Sequence, residues 1–157
     1  MPEAIPAITI WQPWASLILL GAKRYEFRGW RPPRSFERRR IAIHAGARPV
    51  RKPEVGELLV GLKLGDDVTH ASLDAAIALP FLEKLTLNPG LAPLGVVLCT
   101  AVLGECKRAD QTVMFGKFVN DSDRDQHFNF AWPLTDIEPL TPPVEARGAQ
   151  GFWSFRP

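Results

Sequence analysis

Lys23, Glu26 and Arg28 fall within a six-residue stretch directly behind an apolar run. Their types permit two kinds of chemistry, anion binding and proton transfer. In an extended segment Glu26 and Arg28 share one face, while Tyr25 and Phe27 take the other. A carboxylate beside a guanidinium can form a two-point ion pair, which makes a structural lock one reading of the pair. The other is a polar cleft, in which Lys23 and Arg28 hold a phosphate or carboxylate while Glu26 orients them or serves as a base. His44 adds a third titratable type. It follows Ile41, Ala42 and Ile43 in an alternating run, so it shares a face with Ala42 and not with the two isoleucines. If the protein is an enzyme, Lys23, Glu26 and His44 are its catalytic candidates. The alternative to a site role for His44 is a structural hydrogen-bonding residue.

These side chains need a scaffold, and the surrounding pattern predicts one. Residues 7–10 read as a first short strand. Pro13 suits the first turn of a helix, where its missing N–H is no loss. Trp14, Leu17, Ile18 and Gly21 follow helical spacing, and Leu19 and Leu20 extend the apolar surface nearly all round. Such a helix is expected to be buried, plugging a barrel, with Gly21 as its C-terminal cap. Residues 24–28 and 40–45 read as strands around a loop at residues 31–34. From residue 49 to 93 the pattern turns helical. Pro53, Glu54 and Glu57 suit one helix start, and Ser72 with Asp74 suits a second that Pro80 should break or kink. Residues 95–106 form the longest apolar strand pattern, expected to be central. Residues 127–132 and 152–155 read as late strands, and 134–145 as a proline-broken connection with room for one more.

Charge is distributed unevenly. Residues 23–52 hold eleven Lys and Arg against Glu26 and Glu37, a local +9, which leaves −7 for the rest of a chain with net charge +2. Nine of the eleven are arginines, suited to phosphate contact and to stacking on bases. Arg38, Arg39 and Arg40 stand in a row at the centre of this stretch. Trp11 and Trp30 flank the charged strand and are candidate stacking platforms, whereas Trp14 and Trp153 read as core. Gln12 opens the predicted helix without a Ser, Thr, Asp or Asn cap, so an anion is one possible acceptor for its first N–H groups.

Composition excludes several classes. The 157 residues are enough for one domain with a sizeable core, and no domain boundary or internal repeat is visible. No window is long and apolar enough to span a bilayer. The first residues lack the basic and apolar regions of a signal peptide. Cys99 and Cys106 lie seven apart in one apparent strand, so they should face opposite sides and remain reduced, as in the cytoplasm. The run at residues 121–125 starts like a calcium loop. Gln126 stands where that loop needs glycine and Trp132 where it needs glutamate. No zinc spacing is present, and neither a metal nor a cofactor is expected.

The block Trp11-Gln12-Pro13-Trp14-Ala15, followed by Gly21, Lys23, Glu26 and Arg28 in a Gly-x-Lys-x-x-Glu-x-Arg pattern, resembles the signature of the activating signal cointegrator homology (ASCH) domain. Supporting likeness runs through residues 40–45, 93–106 and 148–153. The segment at 49–93 carries no family signal and reads as a helical insert. The resemblance implies an α+β, PUA-like mixed β-barrel over residues 1–157. The family's members are associated with RNA and nucleotide recognition. It implies that strands 24–28 and 40–45 are neighbours and that Lys23, Glu26 and Arg28 line a cleft beside the barrel.

Three functions follow as expectations. The first is a binding module for single-stranded RNA or a nucleotide-like ligand, using Trp11, Gln12, Lys23, Glu26, Arg28, Trp30, Arg38, Arg39, Arg40 and His44. The second is a small hydrolase, since some family members act as amidohydrolases on acylated cytidine and others are linked to RNA cleavage. The amidohydrolase branch carries threonine where this chain has Glu26. The third is a protein-interaction module in transcription or translation.

Overall fold

The computed structural model describes residues 2–65, 73–109 and 130–157. The described residues form seven strands: β1 (Ile5–Ile10), β2 (Tyr25–Arg28), β3 (Arg40–Ala45), β4 (Val96–Leu103), β5 (Lys107–Arg108), β6 (Phe130–Glu145) and β7 (Phe152–Phe155). They form one sheet in the order β2-β6-β4-β3-β1-β7, with β5 also paired to β6. β1 and β3 run parallel, and the other pairs are antiparallel. The sheet curls into a half-barrel, the PUA-like α+β fold that the family resemblance implies.

Helix α1 (Trp14–Leu19) sits in the curl against β3, β4 and β6, and Trp14 through Ile18 are buried. Burial of a side chain such as Leu17 or Ile18 stabilises by about 1.5–3 kcal/mol. The helix ends as Gly21 predicts. Gly21 adopts φ +82°, its N–H donates to the Ile18 carbonyl at 3.0 Å, and the Ala22 N–H reaches back to Leu17 at 3.0 Å. This paired return satisfies two terminal carbonyls in a left-handed turn that a β-carbon would disfavour.

Alternation along β1, β3 and β4 separates two cores. Ile8, Ile10, Ile41, Ile43, Cys99, Ala101 and Leu103 face α1. Ala7, Ala42, Val97 and Phe155 face the other side, where Leu140 and Val144 of β6 cover them. β4 is central, between β3 and β6, as its apolar run predicts.

The helical insert is α2 (Lys52–Lys63) and α3 (Ala75–Leu87), packed on each other. Val55, Leu62, Ala78, Leu82 and Leu85 bury their side chains in the main core. Asp74 caps α3 by accepting from the Ala76 N–H at 3.1 Å. Of the break or kink expected at Pro80, a break does not occur, since α3 runs on to Leu87. The carbonyl the proline leaves unbonded belongs to Ala76, an exposed residue that water can reach.

Three further expectations change. Residues 134–145 are not a separate connection but the continuation of one 16-residue strand, β6. Register shifts opposite Val97–Cys99 and Thr100–Val102, with Asp136 at φ 50°, let its prolines interrupt the ladder without ending it. Cys99 and Cys106 both lie in the main core, because β4 stops at Leu103 and the alternation is lost before Cys106. Both are free thiols. Strand β2 does not neighbour β3, since β6 and β4 intervene. Ser72, the acidic run at 121–125 and the first residues of the predicted strand at 127–132 lie outside the described residues.

Candidate functional site

The turn after α1 fixes the motif residues. The Lys23 N–H donates to the Leu17 carbonyl at 3.1 Å, which folds the chain back over the helix. The Lys23 side chain then runs inward, and the residue is 1% exposed. Its Nζ lies 4.7 Å from the Phe27 ring centroid and 5.5 Å from that of Trp14. A desolvated ammonium gains about 2 kcal/mol from such faces. Glu26, 5% exposed, stands opposite Trp132 in the β2–β6 ladder and so faces the main core. Its Oε1 accepts from the Phe27 N–H at 3.1 Å and lies 3.7 Å from Arg28 Nε. Arg28 is partly exposed and donates from Nη2 to the Thr9 carbonyl at 2.8 Å. Lys23 and Glu26 are therefore covered groups, while Arg28 sits at the rim.

His44 belongs to a different place. It faces the second core, beyond two intervening strands. Its Nε2 donates to the Ala146 carbonyl at 2.8 Å, since a carbonyl can only accept. In the neutral ring Nδ1 then accepts from Thr9 Oγ1 at 3.1 Å, and that hydroxyl accepts from Trp153 Nε1 at 3.0 Å. Gly148 lies directly over this chain of bonds; a β-carbon there would meet His44 Cε1 at 2.7 Å. The expectation that His44 joins Lys23 and Glu26 is thus corrected. It rested on β2 and β3 being adjacent, and His44 instead has both nitrogens engaged beneath a glycine.

Gln12 is likewise committed within the protein. It is buried, its Oε1 accepts from the Ser16 N–H at 2.9 Å, and its Nε2 donates to the Pro93 carbonyl at 2.9 Å. A glutamine side chain reaches the first turn of α1 and takes the place foreseen for an anion. Arg40 turns to β6, where it pairs with Asp136 and, at 3.3 Å, with Glu138, and donates to Thr100 Oγ1 at 3.0 Å. It is a strand-to-strand lock, unlike the exposed Arg38 and Arg39 on either side of the chain's turn into β3.

Trp11 and Trp30 are both on the surface. Trp11 is 47% exposed, and Arg48 stacks on it with its guanidinium carbon 3.8 Å from the ring centroid. Arg48 is held by Glu54 at 2.8 Å, and Glu54 also accepts from Trp14 Nε1 at 3.1 Å. The insert thereby orients Trp11 from a distance. Trp30 meets Trp132 edge-on at 4.9 Å and Phe152 at 6.0 Å. Sequence patterns assigned no individual site role to Arg48, Glu54, Thr9 or Phe152, because each acts through a partner remote in the chain. Gly148 and Phe152 lie in the block 148–153 that resembles the family, which marked the segment without assigning either a role.

A groove of about 350 Å³ opens on another flank, lined by Ala4, Ile5, Pro6, Phe36, Arg39, Phe152, Trp153 and Ser154. Among the described residues, no cluster of His, Cys, Asp and Glu has the arrangement of a metal site. No described helix is long and apolar enough to cross a membrane.

Comparison with known proteins agrees with this architecture. The ASCH domain family model matches residues 8–136. The crystal structure of ASCH from Zymomonas mobilis is similar at a TM-score of 0.52 and 17% identity, covering 96% of this chain and 87% of that one. A serine-to-alanine mutant of the Zymomonas mobilis protein is similar at a TM-score of 0.53 and 17% identity, covering 99% of this chain and 92% of the other. At that identity the likeness establishes the fold alone. No curated protein matches the sequence. With the family signature on α1 and β2, the half-barrel around α1 and a family match across most of its length, this chain belongs to the ASCH domain family.

Proposed function

We propose that this ASCH domain binds single-stranded RNA or a nucleotide-like ligand through its arginine-rich face. The observation that carries the reading is the exposure of Arg31, Arg34, Arg38, Arg39 and Arg51. The basic segment's inward arginines, Arg28, Arg40 and Arg48, are engaged with carboxylates, so its excess charge lies on the surface. Arginines in that state attract a phosphate chain and release its counterions. Exposed Trp11, backed by Arg48, and Trp30 supply faces on which bases stack. Lys23 and Glu26 serve beneath as fixed charges, and Arg28 at the rim is the motif member within a ligand's reach. The burial of Lys23, Glu26 and His44, on two sides of the sheet, supports binding over hydrolysis.

The test is anisotropy of a labelled single-stranded RNA across salt concentrations. Affinity should fall on the order of a hundredfold or more between roughly 50 and 200 mM salt. The double variant Arg38→Glu with Arg39→Glu should weaken binding by about tenfold at low salt, as expected for lost charge-assisted contacts. Binding that ignores both salt and charge reversal would overturn the reading.

A further inference from the structure

We propose that the groove beside β7 is a subsite for one nucleotide unit, with the base against its aromatic lining and the phosphate on Arg39. This rests on the nucleic-acid reading above and gives it a location away from the family motif. The groove's volume of about 350 Å³ falls in the range of small-ligand sites. Among its lining residues the single charge is positive, that of Arg39. Arg39 is exposed and has no ion pair among the described residues, in contrast to Arg40 beside it. A planar, uncommitted guanidinium is suited to two-point contact with phosphate.

The lining rings are braced by neighbours before anything binds. Phe152 stacks nearly parallel on buried Trp132, at 5.6 Å and 8°. Phe36 meets Phe152 edge-on at 4.9 Å. Trp153 is fixed by the bond from its indole N–H to Thr9 Oγ1 at 3.0 Å. Rings already held in place can stack a base without the ordering cost that mobile side chains add. β7 ends the sheet, so its outer edge has no strand partner among the described residues. Main-chain polar groups there can meet the polar edge of a base. Arg38 and Arg156, both exposed, flank the groove in sequence at Arg39 and at β7, and they extend the positive field along a strand's path. Among the described residues, the aromatic lining, a cation without an ion pair and the absence of a lining carboxylate together match a nucleotide and disfavour a cationic partner.

The experiment uses the full chain and cytidine 5′-monophosphate, with cytidine and inorganic phosphate as partial probes, followed by amide and indole NMR shifts. The monophosphate should move the Trp153 indole and the β7 amides, and each partial probe should bind more weakly. Arg39→Glu should weaken the monophosphate by about tenfold, the size of one charge-assisted hydrogen bond. Ser154→Trp, at an exposed position on the groove wall, should fill the site and abolish those shifts. Shifts confined to Trp11 or Trp30, no shifts at all, or a Ser154→Trp variant that still binds normally would each overturn the subsite. The two readings separate cleanly. RNA that binds with steep salt dependence while the monophosphate ignores the groove defeats the subsite alone. A monophosphate seated in the groove of a protein that binds no RNA defeats the broader reading alone.

Discussion

Two neighbouring regions treat positive charge in opposite ways. Between residues 23 and 28, Lys23 is folded under α1 against Trp14 and Phe27, and Arg28 ties Glu26 to the end of β1. Between residues 31 and 39, Arg31, Arg34, Arg38 and Arg39 stand in solvent. The first region carries the family signature, yet its charges mostly face the protein. The second carries no signature beyond composition, yet its charges face outward. A cation that has left water must be matched by its surroundings and so acts on the fold, whereas a hydrated one is available to a partner.

The largest test of this contrast is Lys23→Ala. Truncating this buried side chain leaves a cavity and removes its contacts with the Trp14 and Phe27 rings, a loss of about 2–5 kcal/mol. Lys23→Met keeps most of the stem and should lose less. Urea midpoints measure both, and a Lys23→Ala loss below about 1 kcal/mol would break the contrast. Gly148→Ala comes next. Its β-carbon would enter the space of His44, at 2.7 Å from Cε1, and overpacking of this kind costs about 1–3 kcal/mol. A neutral result would mean that the Thr9–His44–Trp153 chain yields easily and is not a fixed support. The reversal of Arg38 and Arg39 belongs to the opposite class. Its tenfold effect on RNA should come with a stability change within about 0.5 kcal/mol, read in the same urea titration.

The smallest effect concerns Cys99. Burial pushes its thiol up from 9.0 to about 12, so the folded chain holds this proton where an unfolded chain releases it. Stability is fully present below pH 9.0 and is lost as pH rises from there towards about 12. Roughly half a pH unit above the lower bound the loss is a fraction of a kcal/mol. Comparing the wild type with Cys99→Ala over that interval isolates it; equal slopes would mean the thiol titrates as if in water.

Local periodicity made the elements legible more than their arrangement. The apolar run from Trp14, closed by Gly21, foretold a buried helix because both signals lie within one turn of each other. The length of β4 foretold a central strand because only a doubly covered strand affords a continuous apolar run. Alternation at Glu26 and His44 gave each residue a face but not a neighbour. Pairing order is set by long-range closure, and here β6 and β4 separate the two strands. Prolines concealed β6, since bulges absorb their missing donors in a way no local pattern announces. The groove was invisible for a related reason: Ala4, Phe36, Arg39 and Phe152 meet only once the sheet has curled.

That curl has a consequence at its mouth. Trp30, just past β2, packs on Phe152 of β7, and Arg28 reaches the Thr9 carbonyl of β1. The two margins of the sheet are thus fastened by rings and one guanidinium, while every other junction is stitched by a ladder of main-chain bonds. Such a fastening can part and re-form without unzipping a strand pair.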